Sequence, residues 1–329
     1  MNLIRKRLTP EIIIAAVLLV LLIILPLINA PRAWILYVLL FLIYLAMANM
    51  WNLVAGYSGL ISLAQPAFIG LAGYTLAIGT WVNIPWWAGL LGGAAIAGLF
   101  AFLMSFAVFR LSGIYFSIGT LVIPEALRIL FYWWRPIDAP LTGGGAGYMI
   151  KNLGSLDMSN IYWLALAVAI VSIIIIRVVL RSEIGLGLAA IRDNERAAAS
   201  CGVNTFRIKM YPFIISAVVT GLAGAVFYMY QGYIEPQSTF NVNWTMAILL
   251  STVIGGLRTE GGPIVGSIIF VVLYFLLSRY AGYSLLIQGI ILIVIMLLSP
   301  QGLVGIAQKT KAYVKFMAFL GKPILTGKK

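Results

Sequence analysis

Ten apolar stretches, spread through nearly the whole chain, constrain this sequence more than any other feature. They run Ile12–Ile28, Ala33–Val54, Pro66–Trp81, Ala88–Phe109, Gly113–Trp134, Ile161–Leu180, Pro212–Gln231, Trp244–Gly256, Ile264–Arg279 and Ser284–Ser299. About 20 apolar residues carry a helix across the hydrocarbon core of a bilayer. Of the 329 residues, 62% are hydrophobic and 9% charged, where a soluble domain has about 45–50% and about 25%. So few charges cannot clothe a water-facing surface. The chain reads as an all-α polytopic membrane protein of the cell membrane, with about ten transmembrane helices. Residues 1–306 form the membrane domain and 307–329 a basic cytoplasmic tail that rests on anionic lipid. The shorter stretches imply tilted or broken helices enclosed by protein.

Charge sets the expected orientation. The net charge is +13, which on a soluble protein suggests nucleic acid. Here positive charge collecting in cytoplasmic loops explains it. With the N-terminus inside, 17 Lys and Arg fall in inner segments and four (Arg32, Arg135, Lys151, Arg279) in outer ones. Both termini are therefore expected in the cytoplasm. Trp86, Trp87, Trp133, Trp134 and Trp163 then lie at the outer interface, where amphipathic rings settle. The run behind Arg5-Lys6-Arg7 exceeds the 7–15 residues of a signal-peptide core, so it reads as an uncleaved first helix.

Much chemistry is excluded. There is no histidine and one cysteine, Cys201, so a His-containing zinc site, a Ser-His-Asp triad or an internal disulfide cannot be built. No glycine cluster has the G-x-x-x-x-G-K-[ST] phosphate-loop pattern. No cofactor, metal or catalytic residue is expected, and nothing supports an enzyme.

Three groups of residues stand out against this background. Asn52, Ser62 and Gln65 are polar at membrane depth, beside Gly56, Gly59, Pro66, Gly70 and Gly73, which read as interruptions of two helices. Broken backbone is tolerated only against protein or a watery cavity, and a helix restarting at Pro66 offers its N-terminus to a carboxylate. Close helix packing through the glycines is the alternative. Glu125 and Arg128 stand i,i+3 in mid-span, after Pro124, which suggests a kink or restart. They read as a gate or lining that meets a zwitterion, or as a self-neutralised structural pair. The run Thr142, Gly143, Gly144 to Gly147 reads as a flexible outer loop for a delivering protein, or as a plain linker.

The inner loop Arg181–Tyr211 holds the fourth group. Asp193 or Asn194 can cap a short helix from Glu195 to about Cys201, with Gly202 as its stop. Small residues at Ala197 and Ala198 suit insertion into a groove on a partner; a solvated helical loop is the alternative.

Glu195, Ala197, Ala198 and Gly202 resemble the Glu-Ala-Ala…Gly cytoplasmic loop of ABC importer permeases. Ala190-Ile-Arg-Asp-Asn-Glu195 is similar to the form in branched-chain amino-acid permeases. So are Asn52–Leu63, Thr142–Gly147, Ile254–Leu257 with Gly262-Pro263, and Pro300–Gly305. Ala64, Pro66 and Pro124 depart from the family's usual residues, and Arg196 takes the place of the general loop's Glu. The resemblance implies an importer half-channel that couples through Asp193–Gly202 to two ATP-binding subunits. It also implies a homologous second permease, an extracytoplasmic substrate-binding protein and a branched-chain or related small amino acid as cargo. Urea or a short amide as cargo, or a stand-alone secondary transporter, are the competing expectations.

Overall fold

The computed structural model describes residues 18–28, 31–135, 144–151, 156–277, 281–298 and 302–309. Residues 12–17 of the Ile12–Ile28 stretch, Thr142, Gly143 and the basic tail beyond Lys309 lie outside them. Helix α1 (Arg32–Trp51) runs into a π-helical turn, Asn52–Tyr57. α2 (Gln65–Trp81), α3 (Trp86–Val108) and α4 (Ile114–Trp133) follow. A 3₁₀ turn (Gly144–Ala146) leads to β1 (Tyr148–Met149). Then come α5 (Met158–Arg181), α6 (Glu183–Asp193), α7 (Glu195–Ser200) and the long α8 (Thr205–Gln231). β2 (Tyr233–Ile234), α9 (Pro236–Thr239), α10 (Val242–Gly255), α11 (Gly262–Leu277), α12 (Ala281–Leu298) and α13 (Gly302–Lys309) follow in the described residues.

The structure is that of an all-α membrane protein. Five described helical segments are long and apolar enough to cross a bilayer: Arg32–Tyr57, Trp86–Val108, Ile114–Trp133, Met158–Arg181 and Thr205–Gln231. The 16-residue α11 is a shorter apolar helix. α1 is the hub, with Leu39, Ala46, Met47 and Met50 fully buried among α5, α8, α10 and α11. A helix apolar all round belongs in such a place.

Lipid tails are as apolar as leucine, so helices in a membrane associate by close packing through small residues. α8 shows this twice. A methyl group added at Gly224 would stand 2.8 Å from the Ile69 Cα, and one at Gly221 2.9 Å from the Ala97 Cβ. At the α10–α11 crossing the backbones touch, because a methyl on Gly266 would lie 1.7 Å from the Ser251 carbonyl oxygen.

At two places the structure decides between the alternatives that the sequence left open. Gly70 and Gly73 do not interrupt α2, which is continuous; they are seats for the Phe240 and Tyr228 rings, which an added methyl would meet at 2.1 and 2.7 Å. Small residues between bulky rings reproduce the spacing of a broken helix without any break. Nor does α4 restart at Pro124, which sits inside a continuous helix. The real discontinuity is narrower, Ser58–Ala64, between the π turn and α2.

The bundle has two distinct ends, about 40 Å apart along the 27 residues of α8. At one, β1 and β2 pair antiparallel, Tyr148 opposite Ile234 and Met149 opposite Tyr233. Trp81, Trp86, Trp133, Trp134 and Trp163 cluster by sequence at the helix termini of this end. The other end holds α6, α7 and the arginines at 110, 177, 181, 192, 196, 207 and 258.

Candidate functional site

Irregular backbone enclosed by helices must find its hydrogen-bond partners among them, and the 58–64 segment finds them in three elements. The Trp51 indole donates to the Ser62 carbonyl at 2.8 Å. From α4, the Ser117 hydroxyl donates to the Ile61 carbonyl at 2.8 Å and the Thr120 hydroxyl accepts from the Leu63 N–H at 3.0 Å. From α10, the Thr245 hydroxyl reaches the Leu63 carbonyl at 3.4 Å. Gly59 makes the turn at φ +77°, where glycine alone is unstrained.

The three polar residues flanking this break have different occupations. Asn52 is fully buried and spends its amide on the loop before α11. Its Nδ2 donates to the Thr259 carbonyl at 3.1 Å, and its Oδ1 accepts from the Arg258 N–H at 3.0 Å. Ser62 is buried and its hydroxyl accepts from the Ala64 N–H at 3.4 Å. Gln65 opens α2 with Pro66 behind it, is 1% exposed, and has neither amide atom hydrogen-bonded among the described residues. An unpaired buried amide costs roughly 1–3 kcal/mol.

Beside the break lies a cavity of about 300 Å³, walled by Leu63, Pro66, Leu121, Glu125, Phe240 and Thr245. The starts of α2 and α10 both face it through Pro66 and Val242. Its character is mostly aliphatic and aromatic, with one carboxylate and one hydroxyl. Above it, towards the β ladder, rings close ranks: Tyr74 stacks on Phe131 and Phe240 at centroid distances of 4.3 and 5.9 Å, and Tyr148 packs on Trp81 at 4.6 Å.

Glu125 and Arg128 do pair. The Arg128 Nε donates to Glu125 Oε1 at 3.0 Å, and its Nη2 donates to the same oxygen. Arg128 Nη1 also donates to the Gln237 Oε1 at 2.8 Å, joining α4 to α9. The Glu125 side chain is 55% exposed. It lies on a helix whose outward face is otherwise apolar, with Ile118, Leu121, Val122, Ile129 and Leu130 exposed.

α7 forms as its residues dictate. The Asn194 side chain accepts from the Ala197 N–H at 3.0 Å, capping the helix, and Gly202 follows at φ +86°. Asp193 is exposed and pairs with its neighbour Arg192. Ala198 is 6% exposed, facing its own chain, while Arg196, Ala197, Ala199 and Ser200 face outward. Glu195 turns back to an ion pair with Lys209 of α8.

The outer run is a built turn and not a slack loop over its described part. Gly144 and Gly147 take φ +62° and +74°. The Tyr148 hydroxyl accepts from the Gly144 N–H at 3.1 Å and donates to the Trp134 carbonyl at 3.0 Å. Tyr233 donates to the Ala146 carbonyl, and burial, helped by Glu235, raises its phenol above the usual value.

The family described as "Branched-chain amino acid transport system / permease component" matches residues 34–299. The chain belongs to this family. It is a membrane permease subunit of a branched-chain amino-acid ABC importer, a transport component and not an enzyme. Over 298 residues it is 31% identical to the high-affinity branched-chain amino acid transport permease protein LivM of Escherichia coli K12, covering 80% of this chain and 68% of that one. Over 150 residues it is 25% identical to LivH of the same organism, covering 45% and 47%. The ribose import permease protein RbsC of Bacillus subtilis is 26% identical over 173 residues, covering 48% and 52%. No solved structure matches.

Several cavity residues escaped the sequence reading. Phe240 and Thr245 of the wall, like Gln237, which holds Arg128 behind it, are ordinary residues for an apolar helix and its approach, and only the folding of α9 and α10 against α2 and α4 brings them to the site. Lys209 was counted as one more inner cation; its burial was invisible.

Proposed function

We propose that this permease is one half of a two-permease channel whose route passes the α2–α4–α10 cavity. The observation that carries this is Glu125. A charged side chain facing lipid near mid-span costs roughly 2.5–3.5 kcal/mol on insertion scales, yet the permease exposes one on an apolar helix. Covering that face with the second permease subunit removes the cost and places Glu125 between two subunits. One organism's high-affinity system with two differently named permease proteins, LivM and LivH, supports pairing with a homologous partner. The motor is a pair of ATP-binding subunits met at Asp193–Gly202, and an extracytoplasmic binding protein delivers cargo beside the Gly144–Gly147 turn.

The cavity suits the cargo. An aliphatic side chain lies against Leu63, Leu121, Phe240 and Val242, an ammonium meets Glu125, and a carboxylate meets the α2 and α10 N-termini. A sugar, the cargo in the name of the ribose relative, needs a ring of hydrogen-bonding side chains, and this wall has two polar groups. Among the five polar residues, Glu125 is the one on the wall. Arg128 fixes it, Ser62 bonds within the broken backbone beside it, Asn52 ties the π turn to the loop before α11, and Gln65 opens α2.

The test is transport of radiolabelled leucine by the permease reconstituted with its partner subunits. Glu125→Gln is expected to lower uptake about tenfold. The exchange Glu125→Arg with Arg128→Glu is expected to stay impaired, because cargo reads the charges in order. Full uptake after the exchange would reduce the two to a structural pair.

Topology has its own test. The ten crossings and two cytoplasmic termini place the α7 end inside and the β-ladder end outside, as the arginines and tryptophans support. A membrane-impermeant maleimide should reach Cys201, which is exposed, only from the cytoplasmic side. In a Cys201→Ser background, Met149→Cys on the exposed face of β1 should react only from outside. Reaction of both from one side would overturn this orientation.

A further inference from the structure

We propose that the Glu195–Lys209 ion pair locks α7 and the first two turns of α8 into one lever, hinged at Pro212, that turns a push on α7 into a tilt of α8. The proposal rests on the reading of α7 as the contact for the ATP-binding subunits, and it assigns Lys209 a positioning role in coupling.

Lys209 is 6% exposed, and among the described residues it is the one cation in the buried set. Lysine is almost never fully buried unless paired, because an unpaired buried ammonium is costly. Its counter-charge comes from α7: Lys209 Nζ donates to Glu195 Oε1. The pair therefore spans the connection between two helices. A second tie runs beside it, from the Val203 N–H to the Ala198 carbonyl at 3.1 Å. Asn204 caps α8 by accepting from the Arg207 N–H at 3.1 Å, so the turn from α7 into α8 is held at both sides.

This arrangement divides α7 by face. Glu195 and Ala198 address the permease itself, and Arg196, Ala197, Ala199 and Ser200 remain for a partner. The acidic residue that opens the helix is thus a strut within the chain and not the group offered outward.

The lever ends at Pro212, three residues beyond Lys209. A proline inside a helix has no N–H for the carbonyl four residues earlier, here that of Ile208. The helix is continuous across this point but lacks one rung, the place where helices bend. Beyond it α8 is seated hard on α2, with Gly224 against Ile69. Ile69 is one turn from Gln65 and Pro66, and Pro66 walls the cavity. A displacement of α7 thus has a continuous packed course to that wall.

Cys201, the single cysteine, caps the C-terminus of α7 and is exposed, so a nitroxide attached there reports how firmly α7 is held. With the full chain in lipid nanodiscs, the label is expected to be restricted in the native sequence. It should be clearly more mobile in Lys209→Met and in Glu195→Gln, and restricted again in the exchange Glu195→Lys with Lys209→Glu. Equal mobility in all four would overturn the strut. In the complete transporter, Lys209→Met should lower leucine carried per ATP hydrolysed about tenfold, within the usual range of coupling between sites. Pro212→Ala, which restores the missing rung, should lower the same ratio while the label stays restricted; an unchanged ratio there would overturn the hinge. A label loosened by Lys209→Met with the ratio unchanged would leave the strut standing and overturn the reading of α7 as the coupling contact.

Discussion

Arginine at position 199 is expected to cut uptake at least tenfold while the permease folds and inserts normally. Ala199 lies on the outward face of α7, so the new side chain meets water in the isolated subunit and disturbs no packing. Seated against an ATP-binding subunit, the same side chain fills space that a methyl left open. Coupling energies of about 1–3 kcal/mol link distant sites in proteins, and losing that much is enough for a tenfold fall. The neighbouring substitution behaves differently. Ala198 is 6% exposed and faces its own chain, so Ala198→Arg places a guanidinium in a closed space and should lower the yield of monodisperse protein. Measuring yield by size-exclusion chromatography and uptake in proteoliposomes separates the two. Normal uptake by Ala199→Arg would show that this face of α7 meets nothing.

Valine at position 266 should prevent the permease from folding at all. α10 and α11 approach so closely that a methyl on Gly266 would lie 1.7 Å from the Ser251 carbonyl oxygen and 2.9 Å from the Gly255 nitrogen. Both obstacles are backbone, which cannot rotate aside as a side chain would. Overpacking typically costs about 1–3 kcal/mol when side chains can adjust; here whole helices must part, against a total stability of about 5–15 kcal/mol. Gly289 in α12 provides the control, because nothing stands within 4 Å of a methyl placed there. Gly289→Val should leave the yield of monodisperse protein unchanged, and equal yields for both variants would refute the close crossing.

What the sequence could disclose follows from which physics acts locally. The membrane class, the cap of α7 at Asn194 and the i,i+3 pairing of Glu125 with Arg128 depend on neighbours in the chain, and each was legible. Gly70 and Gly73 stayed open between breaks and close packing, because a glycine that ends a helix and one that receives a ring look alike in sequence; the structure decides for packing. Pro124 was ambiguous in the same way, since a proline within a well-packed apolar helix can be carried through it. Asn52 was legible as buried and polar, but its partners at Arg258 and Thr259 lie some two hundred residues away. The cavity depends on α9 and α10 returning to α2, a long-range event that no periodicity announces. Lys209 stayed hidden because burial of a loop-proximal cation is a property of the assembled bundle.

The short β ladder has a mechanical consequence. It fastens the segment after α4 to the segment after α8, while Trp81 at the close of α2 reaches the Met149 carbonyl at 3.5 Å. Three helices bordering the cavity or driving its wall are thus tied together at one tip. Their spacing is fixed there by hydrogen bonds, as the bow fixes the legs of tongs, whereas α7 sits at the opposite end of α8, about 40 Å away.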